Sequence, residues 1–192
     1  MPNGKLTVGF NEEGSYTAYV TASNSAGGLD SAKISFTVKK YNAPDLQTGA
    51  IYTIHPKGVN LYIASSGTKN LSNVCLSNKV NNSSKWKLMY DNNKKAYYFV
   101  NISSNRVLDI NGSSVKNGGG QNVQIYDKNG CSTEFFDLVK NSDGTYIIRI
   151  HTNKNVCIDC KGTISTLKNS SNVWTYVINH DNTQKFVFAK VN

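Results

Sequence analysis

The residues best suited to redox, metal or nucleophilic chemistry are four cysteines and three histidines in a chain of 192 residues. Cys157 and Cys160 have the C-x-x-C spacing of redox and zinc sites. Such a site calls for a helix start or a second such pair, and this strand-like stretch offers neither. His151 precedes Cys157 by six residues, which is not enough to indicate a thiol nucleophile with its base. In an extracellular protein the four cysteines could instead form disulfides, whose connectivity the sequence leaves open.

Sequence motifs of hydrolytic enzymes are absent, since the chain contains no G-x-S-x-G, no H-E-x-x-H and no phosphate-binding loop. Asp109 and Glu134 could form a carboxylate pair of the kind that cleaves glycosidic bonds. The internal repeat described below accounts for both residues without catalysis, and a small β domain seldom offers the deep cleft of a hydrolase. We therefore predict that the chain is not an enzyme and holds no metal and no cofactor.

Basic residues exceed acidic ones by 21 to 12, which gives a formal net charge of +9. Residues 1–44 hold four Lys and three acidic residues, so most of the excess lies further along the chain. A basic surface can attract nucleic acid, an anionic membrane or an acidic polysaccharide. The Lys are scattered, however, which favours an ordinary solvated surface. We predict no nucleic-acid partner and no membrane insertion, because no apolar run reaches the length of a membrane span.

Short runs of strand-forming residues, such as YTAYVTA, YYFV, YIIRI and KFVF, are typical of an all-β protein. The first forty residues contain three such runs, which predict a small antiparallel β-meander. The stretch GSYTAYVTASNSAG resembles the final strands of bacterial immunoglobulin-like modules, although a small β segment that packs on the next domain would also fit. Pro44 opposes strand pairing, so we place a linker at residues 41–44 between two domains, residues 1–44 and 45–192.

From about residue 48 the sequence repeats with a period of about fifty residues. Three elements recur at that spacing: residues 122–126 as 172–176, Asp109 as Asp159, and residues 134–138 as 184–188. Units of this size cannot each bury a core, so three of them must share one. The expected core side chains are Trp86, Phe136 and Phe186, followed two positions later by Leu88, Leu138 and Phe188. Closing three units around an axis produces a barrel without free edges.

The repeat resembles that of the ricin B, or R-type, lectin family, whose three repeats each end in a Q-x-W motif. The corresponding triplets, within roughly residues 47–192, are Ser84-Lys85-Trp86, Glu134-Phe135-Phe136 and Gln184-Lys185-Phe186. Only the third keeps Gln and only the first keeps Trp. The resemblance implies a β-trefoil of twelve strands with pseudo-threefold symmetry, in which each repeat can offer one shallow sugar pocket.

The family's pocket combines an Asp, an aromatic residue further along the repeat, and polar groups near the Q-x-W motif. A carboxylate accepts hydrogen bonds from neighbouring sugar hydroxyls, a flat ring covers the C–H face of the sugar, and an amide or hydroxyl fixes the orientation. Such shallow sites bind weakly, in the millimolar to high micromolar range, or about −4 to −6 kcal/mol. The first repeat has Ala64, Ser77 and Ser84 at these positions and is predicted to be structural only.

The second and third repeats keep the pattern that the resemblance implies. The candidate sugar-binding residues of the second repeat are Asp109, Gln124, Tyr126 and Asn129. Those of the third are Asp159, Trp174, Tyr176, Asn179 and Gln184. The third set is better preserved, because ionised Glu134 would repel Asp109 or share a proton with it unless a metal or a Lys intervened. Taken singly, an Asp is often a turn former and a Tyr is often half-buried core.

The resemblance implies a carbohydrate-binding, lectin-like module that recognises a glycan containing galactose or xylose. Such a module would target a secreted, bacterial multi-domain protein, with a fused catalytic or toxin domain, to a glycan surface. The expected location is extracellular, either secreted or at the cell surface. The alternative is a basic β-trefoil scaffold that has lost sugar binding. Such a scaffold would bind either a polyanion, through its Lys, or another protein.

Overall fold

The computed structural model describes residues 14–23, 29–38 and 45–191. The chain divides into two compact units, residues 1–43 and 44–192. The first of the three runs that predict the meander, residues 5–10, and the predicted linker at residues 41–44 lie outside the described residues.

The first unit contains an antiparallel hairpin of two ten-residue strands, β1 (Gly14–Ser23) and β2 (Leu29–Val38). Its register pairs the first residue of β1 with Val38 and the last with Leu29. Both strands contain several β-branched and aromatic residues, which favour the extended backbone of a strand. Two of the three runs that predicted a meander therefore form strands, and the third falls outside the described residues.

Residues 45–191, the described part of the second unit, contain twelve strands, four in each repeat. The first repeat holds β3 (Ile51–Pro56), β4 (Tyr62–Ser65), β5 (Val74–Ser77) and β6 (Lys85–Asp91). The second holds β7 (Ala96–Asn101), β8 (Val107–Ile110), β9 (Gly119–Tyr126) and β10 (Phe136–Lys140). The third holds β11 (Tyr146–Ile150), β12 (Asn153–Cys160), β13 (Val173–Val177) and β14 (Phe186–Lys190). A three-residue 3₁₀ turn precedes the last strand of each repeat.

The outer strands of the three repeats close into a barrel. Strands β3, β6, β7, β10, β11 and β14 pair antiparallel in that order, and β14 pairs back to β3. Each barrel strand thus has a partner on both sides, which satisfies the edge hydrogen bonds that an open sheet would expose. The inner strands form three hairpins, β4–β5, β8–β9 and β12–β13. This arrangement is the all-β trefoil that the sequence predicted.

A ring of three asparagines links the three hairpins. The side-chain amide of Asn73 donates to Asn172 at 2.9 Å, that of Asn172 to Asn122 at 2.9 Å, and that of Asn122 to Asn73 at 2.8 Å. Asn122 and Asn172 are fifty residues apart, as the repeat predicted, and Asn73 holds the same position in the first repeat. The cyclic hydrogen bonding therefore shows that the three positions are equivalent and marks the pseudo-threefold axis.

The shared core forms where the repeat predicted it. Trp86, Phe136 and Phe186 are fully buried, and the Trp86 indole N–H donates to the carbonyl of Ile63 at 2.8 Å. Leu88 and Leu138 are buried with them, whereas the equivalent Phe188 is only partly buried and packs against the core. No helix in the described part of the chain has the length and apolar character needed to cross a membrane.

Candidate functional site

Strand register places each candidate carboxylate opposite a hydrogen-bond donor. Asp159 on β12 pairs with Trp174 on β13, and Asp109 on β8 pairs with Gln124 on β9. In both hairpins the donor residue lies fifteen residues after the carboxylate. The first repeat has Ala64 and its partner Cys75 in the same place, so its hairpin lacks both the carboxylate and the donor.

The third-repeat carboxylate is buried and only half satisfied. Asp159 is 6% exposed, and its Oδ2 accepts a hydrogen bond from Trp174 Nε1 at 3.0 Å. Its Oδ1 is buried without a hydrogen-bond partner among the described residues. Burial raises the pKa of Asp159, although Thr183 and Trp174 favour the ionised form. An unsatisfied buried acceptor is energetically unfavourable, and a ligand hydroxyl that donated to Oδ1 would remove that penalty.

Two stacked aromatic rings lie beside this carboxylate. The rings of Trp174 and Tyr176 are nearly parallel, with centroids 5.2 Å apart and an interplanar angle of 17°. Tyr176 is 37% exposed, and Lys161 Nζ lies 4.9 Å from the centroid of the Trp174 ring. The exposed ring of Tyr176 offers the flat apolar surface that the C–H face of a sugar requires.

The strand that carries Tyr176 is approached closely by Gly119 of β9. The two residues are paired, and Gly119 has a φ of +67°. A Cβ at this position would lie 2.7 Å from the Tyr176 Cα and 2.8 Å from the carbonyl oxygen of Thr175. Glycine is therefore required here both by the backbone conformation and by the lack of space.

The Gln of the Q-x-W motif in the third repeat, Gln184, stabilises a loop and makes no hydrogen bond to Asp159. Gln184 is fully buried, its Oε1 accepts from the backbone N–H groups of Asn179 and His180 at 3.0 and 3.3 Å, and its Nε2 donates to the Val177 carbonyl at 2.9 Å. These contacts fix residues 177–180, which follow Tyr176.

Glu134 has the corresponding role in the second repeat. Its two carboxylate oxygens accept from the backbone N–H groups of Asn129 and Gly130, at 3.0 and 2.9 Å. The predicted conflict between Glu134 and Asp109 is therefore wrong, because the charge of Glu134 is directed to backbone donors. Gln184 in the third repeat likewise donates to a backbone carbonyl, that of Val177, and not to Asp159.

The predicted residues Asn129 and Asn179 lie in exposed turns. Asn129 Oδ1 accepts from the backbone N–H of Cys131 at 2.8 Å. Asn179 Oδ1 accepts from the backbone N–H of Asp181 at 3.0 Å, and its Nδ2 donates to the Asp181 carboxylate at 2.8 Å. Both side chains stabilise their turns, and the structure shows no hydrogen bond from either one to Asp109 or Asp159.

The second-repeat carboxylate resembles the third in its burial and in its one hydrogen bond from the facing strand. Asp109 is also 6% exposed, and its Oδ2 accepts from Gln124 Nε2 at 2.8 Å. Burial raises its pKa, and the side chains of Gln124 and Thr133 oppose that shift. Tyr126 is partly exposed but has Gln124 where the third repeat has a tryptophan. The second repeat thus keeps the carboxylate and a single aromatic ring.

Thr133 and Thr183 were not among the site residues predicted from the sequence. Both are buried, and each favours the ionised form of the Asp in its own repeat. They are fifty residues apart and directly precede the Gln position of the Q-x-W motif, so the repeat contained the signal that could have identified them.

The C-x-x-C pair lies in strand β12, where its two residues face opposite sides. Cys160 packs in the hydrophobic core with Ile158, whereas Cys157 lies on the face that carries Asp159. Burial raises the pKa of both thiols, and the charge of Asp159 adds to the shift. All four cysteines are free thiols. The described residues contain no cluster of His, Cys, Asp and Glu that could hold a metal ion.

Comparison with known proteins gives the same fold. Residues 82–176 match the model of a family described as "Ricin-type beta-trefoil lectin domain-like". A comparison with curated proteins gave no match. The closed barrel and its three hairpins make the second unit a β-trefoil, and the match shows that about half of the chain is similar to ricin-type lectin domains.

Three solved structures illustrate the likeness. The designed threefold-symmetric protein ThreeFoil has a TM-score of 0.66 and 19% identity, with 73% of this chain and 99% of that chain covered. A mosquitocidal holotoxin has a TM-score of 0.69 and 21% identity, with 79% and 18% covered. The ricin B-like lectin of Macrolepiota procera, solved in complex with lactose, has a TM-score of 0.62 and 15% identity, with 77% and 99% covered. At these identities the likeness establishes the fold alone.

Proposed function

We propose that the trefoil unit is a non-catalytic carbohydrate-binding module and that its principal sugar site lies in the third repeat. The observation that carries this proposal is the buried, unpartnered Oδ1 of Asp159 beside the exposed ring of Tyr176. A carboxylate oxygen without a donor and an aromatic surface are together what a sugar hydroxyl and its neighbouring C–H face would complete.

Each side chain of the third site has a distinct part in binding. Trp174 Nε1 holds Asp159 Oδ2, so that Oδ1 is left to accept from a sugar hydroxyl. The Tyr176 ring supports the apolar face of the sugar, and the stack on Trp174 keeps that ring in position. Gln184 fixes the loop that follows. We expect millimolar to high micromolar affinity, about −4 to −6 kcal/mol, because the site is shallow.

The second repeat forms a weaker site of the same type. Asp109 and Tyr126 occupy the corresponding positions, but Gln124 takes the place of the tryptophan and donates to the carboxylate. A sugar there would have one ring to lie against instead of a stacked pair. Two weak sites on one rigid domain increase the apparent affinity for a multivalent glycan.

The proposed ligand is a glycan containing galactose or xylose. The lactose in the Macrolepiota procera lectin supports galactose. The proposed setting is a secreted, extracellular bacterial protein in which the trefoil targets a catalytic or toxin domain. The mosquitocidal holotoxin, of which the match covers only 18%, shows such a trefoil within a much larger toxin. The hairpin β1–β2 would then belong to an immunoglobulin-like module of the same protein.

A glycan array on the full chain tests the proposal, with Asp159→Ala and Asp109→Ala as site variants. Ser77→Ala is the matched control, because Ser77 occupies the aromatic position in the first repeat. We expect Asp159→Ala to abolish most of the binding to a neutral glycan, Asp109→Ala to reduce it slightly, and Ser77→Ala to leave it unchanged. If no neutral glycan binds and the chain instead binds heparin in a manner abolished by salt, the function is polyanion binding.

A further inference from the structure

A second cleft lies at the opposite end of the β12–β13 hairpin from its connecting loop, residues 161–172. It has a volume of about 540 Å³, and its lining includes neither Asp159 nor Tyr176. The apolar floor is formed by Val139, Ile147, Val177 and Ile178. The polar rim is formed by Arg149, Lys154, Asn155 and His180. An apolar floor with convergent polar groups is the general composition of a small-ligand site.

The rim carries more positive charge than its acidic partner neutralises. Asp137 Oδ2 accepts from Arg149 Nε at 3.3 Å and Nη2 at 3.1 Å, and Lys154 also contacts this oxygen. The other oxygen of Asp137 contacts His151 Nδ1 at 2.8 Å. One carboxylate therefore serves two permanent cations and a histidine, which leaves a net positive charge at the cleft.

Asp137 orients the arginine and leaves part of it available. Burial opposes ionisation of Asp137, but His151, Lys154 and Arg149 outweigh it and lower its pKa, so the carboxylate stays charged at neutral pH. Arg149 Nη1 makes no hydrogen bond to any residue in the described part of the chain. A guanidinium held on one side by a fixed carboxylate is a preorganised receptor for a second anion.

The second repeat shows that the cleft does not follow from trefoil packing alone. Tyr97 and Tyr146 pair with the Phe of their respective Q-x-W positions, so Tyr98 corresponds to Ile147 of the cleft floor. Lys128, fifty residues before Ile178, lies 4.8 Å from the Tyr98 ring centroid. In the second repeat, the Tyr98 ring and Lys128 therefore occupy the position that corresponds to the cleft. In the third repeat, the smaller side chains of Ile147 and Ile178 leave it open.

We propose that this cleft is a binding site for an acidic sugar, separate from the Asp159 site. The sugar ring would lie on Val177 and Ile178, with its carboxylate or sulfate group facing Arg149 Nη1 and Lys154. The rim is charged while the floor is apolar, a combination that suits a ring bearing one anionic group better than a free inorganic anion. The loop of residues 177–180, which Gln184 fixes, is common to both sites.

The test is an NMR titration of the full chain with three probes: glucuronate for a carboxylate, galactose 6-sulfate for a sulfate, and galactose as the neutral sugar. Arg149→Gln and Lys154→Gln should each weaken acidic-sugar binding roughly tenfold or more, since each removes a charged hydrogen bond. Lys168→Gln is the matched control, because it removes the same charge from an exposed position elsewhere on the trefoil. Shifts induced by glucuronate should map to residues 147–155 and 177–180.

A further variant tests the cleft without removing any of the ion pairs around Asp137. Val177→Trp should fill the cleft at an exposed position and abolish acidic-sugar binding while Asp137 keeps all its partners. Asp159→Asn should leave glucuronate binding unchanged and weaken galactose binding, so failure of the Asp159 site would not be confused with failure of this one. The proposal is overturned if no acidic probe binds, if Lys168→Gln weakens binding as much as Arg149→Gln, or if Asp159→Asn abolishes glucuronate binding.

Discussion

Replacing Asp159 by Asn should remove sugar binding from the third repeat without weakening the fold. Trp174 donates to Oδ2 of this buried carboxylate, and Oδ1 has no partner among the described residues. The amide oxygen of Asn can still accept from Trp174. The substitution therefore preserves the one strong contact of the side chain and removes its charge.

The expected loss in binding follows from the hydrogen bonds that the charge strengthens. A hydrogen bond to a charged group contributes about 1.5 to 3 kcal/mol, against about 1 kcal/mol for a neutral one. Asn would also present an N–H group where Oδ1 now lies, and that group cannot accept from a sugar hydroxyl. We expect the affinity of the third site for its neutral sugar to fall roughly 10- to 150-fold.

Although Asp159→Asn should weaken sugar binding, it should not lower the stability of the fold. An unsatisfied buried polar group costs about 1 to 3 kcal/mol, and the neutral amide keeps part of that cost because its N–H also lacks a partner. We expect the free energy of unfolding of Asp159→Asn at pH 7 to be equal to that of the wild type or higher by about 1 kcal/mol.

The pH dependence follows from the raised pKa of Asp159. Because the folded state holds this proton more tightly than the unfolded chain, stability falls as pH rises from about 4, the unfolded value, through the folded pKa. The advantage of Asn should therefore be present at pH 7 and disappear at about pH 3, where Asp159 is protonated in both states. Sugar binding by the wild type should fall as the pH drops through the same pKa.

Urea unfolding at the two pH values and titration with the sugar provide the measurements. Asp137→Asn serves as a comparison in which the expected effect on stability is reversed, because salt bridges and hydrogen bonds lower the pKa of Asp137. Its carboxylate stabilises the fold above about pH 4, so its removal should lower the unfolding free energy at pH 7 by about 1 to 3 kcal/mol. If Asp159→Asn instead lowers stability by that amount and leaves sugar binding intact, Asp159 is a structural residue and the site assignment is wrong.

Three further substitutions test how the third site is built. Gly119→Ala should lower the free energy of unfolding by about 1 to 3 kcal/mol in urea titrations, because φ is +67° and the new Cβ would lie 2.7 Å from the backbone of β13. Gln184→Glu should cost about 1 kcal/mol in the same assay, because Glu keeps both backbone contacts but cannot donate to the Val177 carbonyl. Thr183→Val should move the pH midpoint of sugar binding upward, because it removes a group that favours ionised Asp159.

Each of these substitutions has a matched control. Gly130 also has positive φ but has open space around it, so Gly130→Ala should cost less than Gly119→Ala; equal costs would mean that the close contact is unimportant. Gln184→Glu should leave sugar binding largely intact, and loss of binding at unchanged stability would place Gln184 in direct contact with the ligand. Thr183→Ser keeps the hydroxyl and should keep the wild-type midpoint, so an equal shift in both variants would contradict the role of that hydroxyl.

The sequence predicted the fold well because the trefoil core is a property of the repeat. Large apolar residues at the same position in each repeat must meet at one axis, and Trp86, Phe136 and Phe186 do so. The partial exposure of Phe188 could not be predicted, because it depends on the local packing at the barrel end where that ring contacts Tyr146.

The site was predicted less completely, because its contacts depend on how a turn directs its side chains. Spacing identified Asp159 and Tyr176, since strand register places them on one face of a hairpin. It could not show that Gln184 points to backbone groups, because the 3₁₀ turn before β14 determines that direction. The same turn brings Thr183 to Asp159, and no strand or helix periodicity predicts a contact made from a three-residue turn.

The threefold repeat provides an internal comparison that bears on why the carboxylates are there. The first-repeat hairpin forms with Ala64 opposite Cys75 at the same register, and Ala64 is buried. The hairpin and the barrel therefore do not require a carboxylate at this position. Asp109 and Asp159 are nonetheless buried in the other two repeats, where burial disfavours their charged form. A group that the fold does not need, in an environment that opposes its charge, is better explained by a ligand that completes its hydrogen bonds.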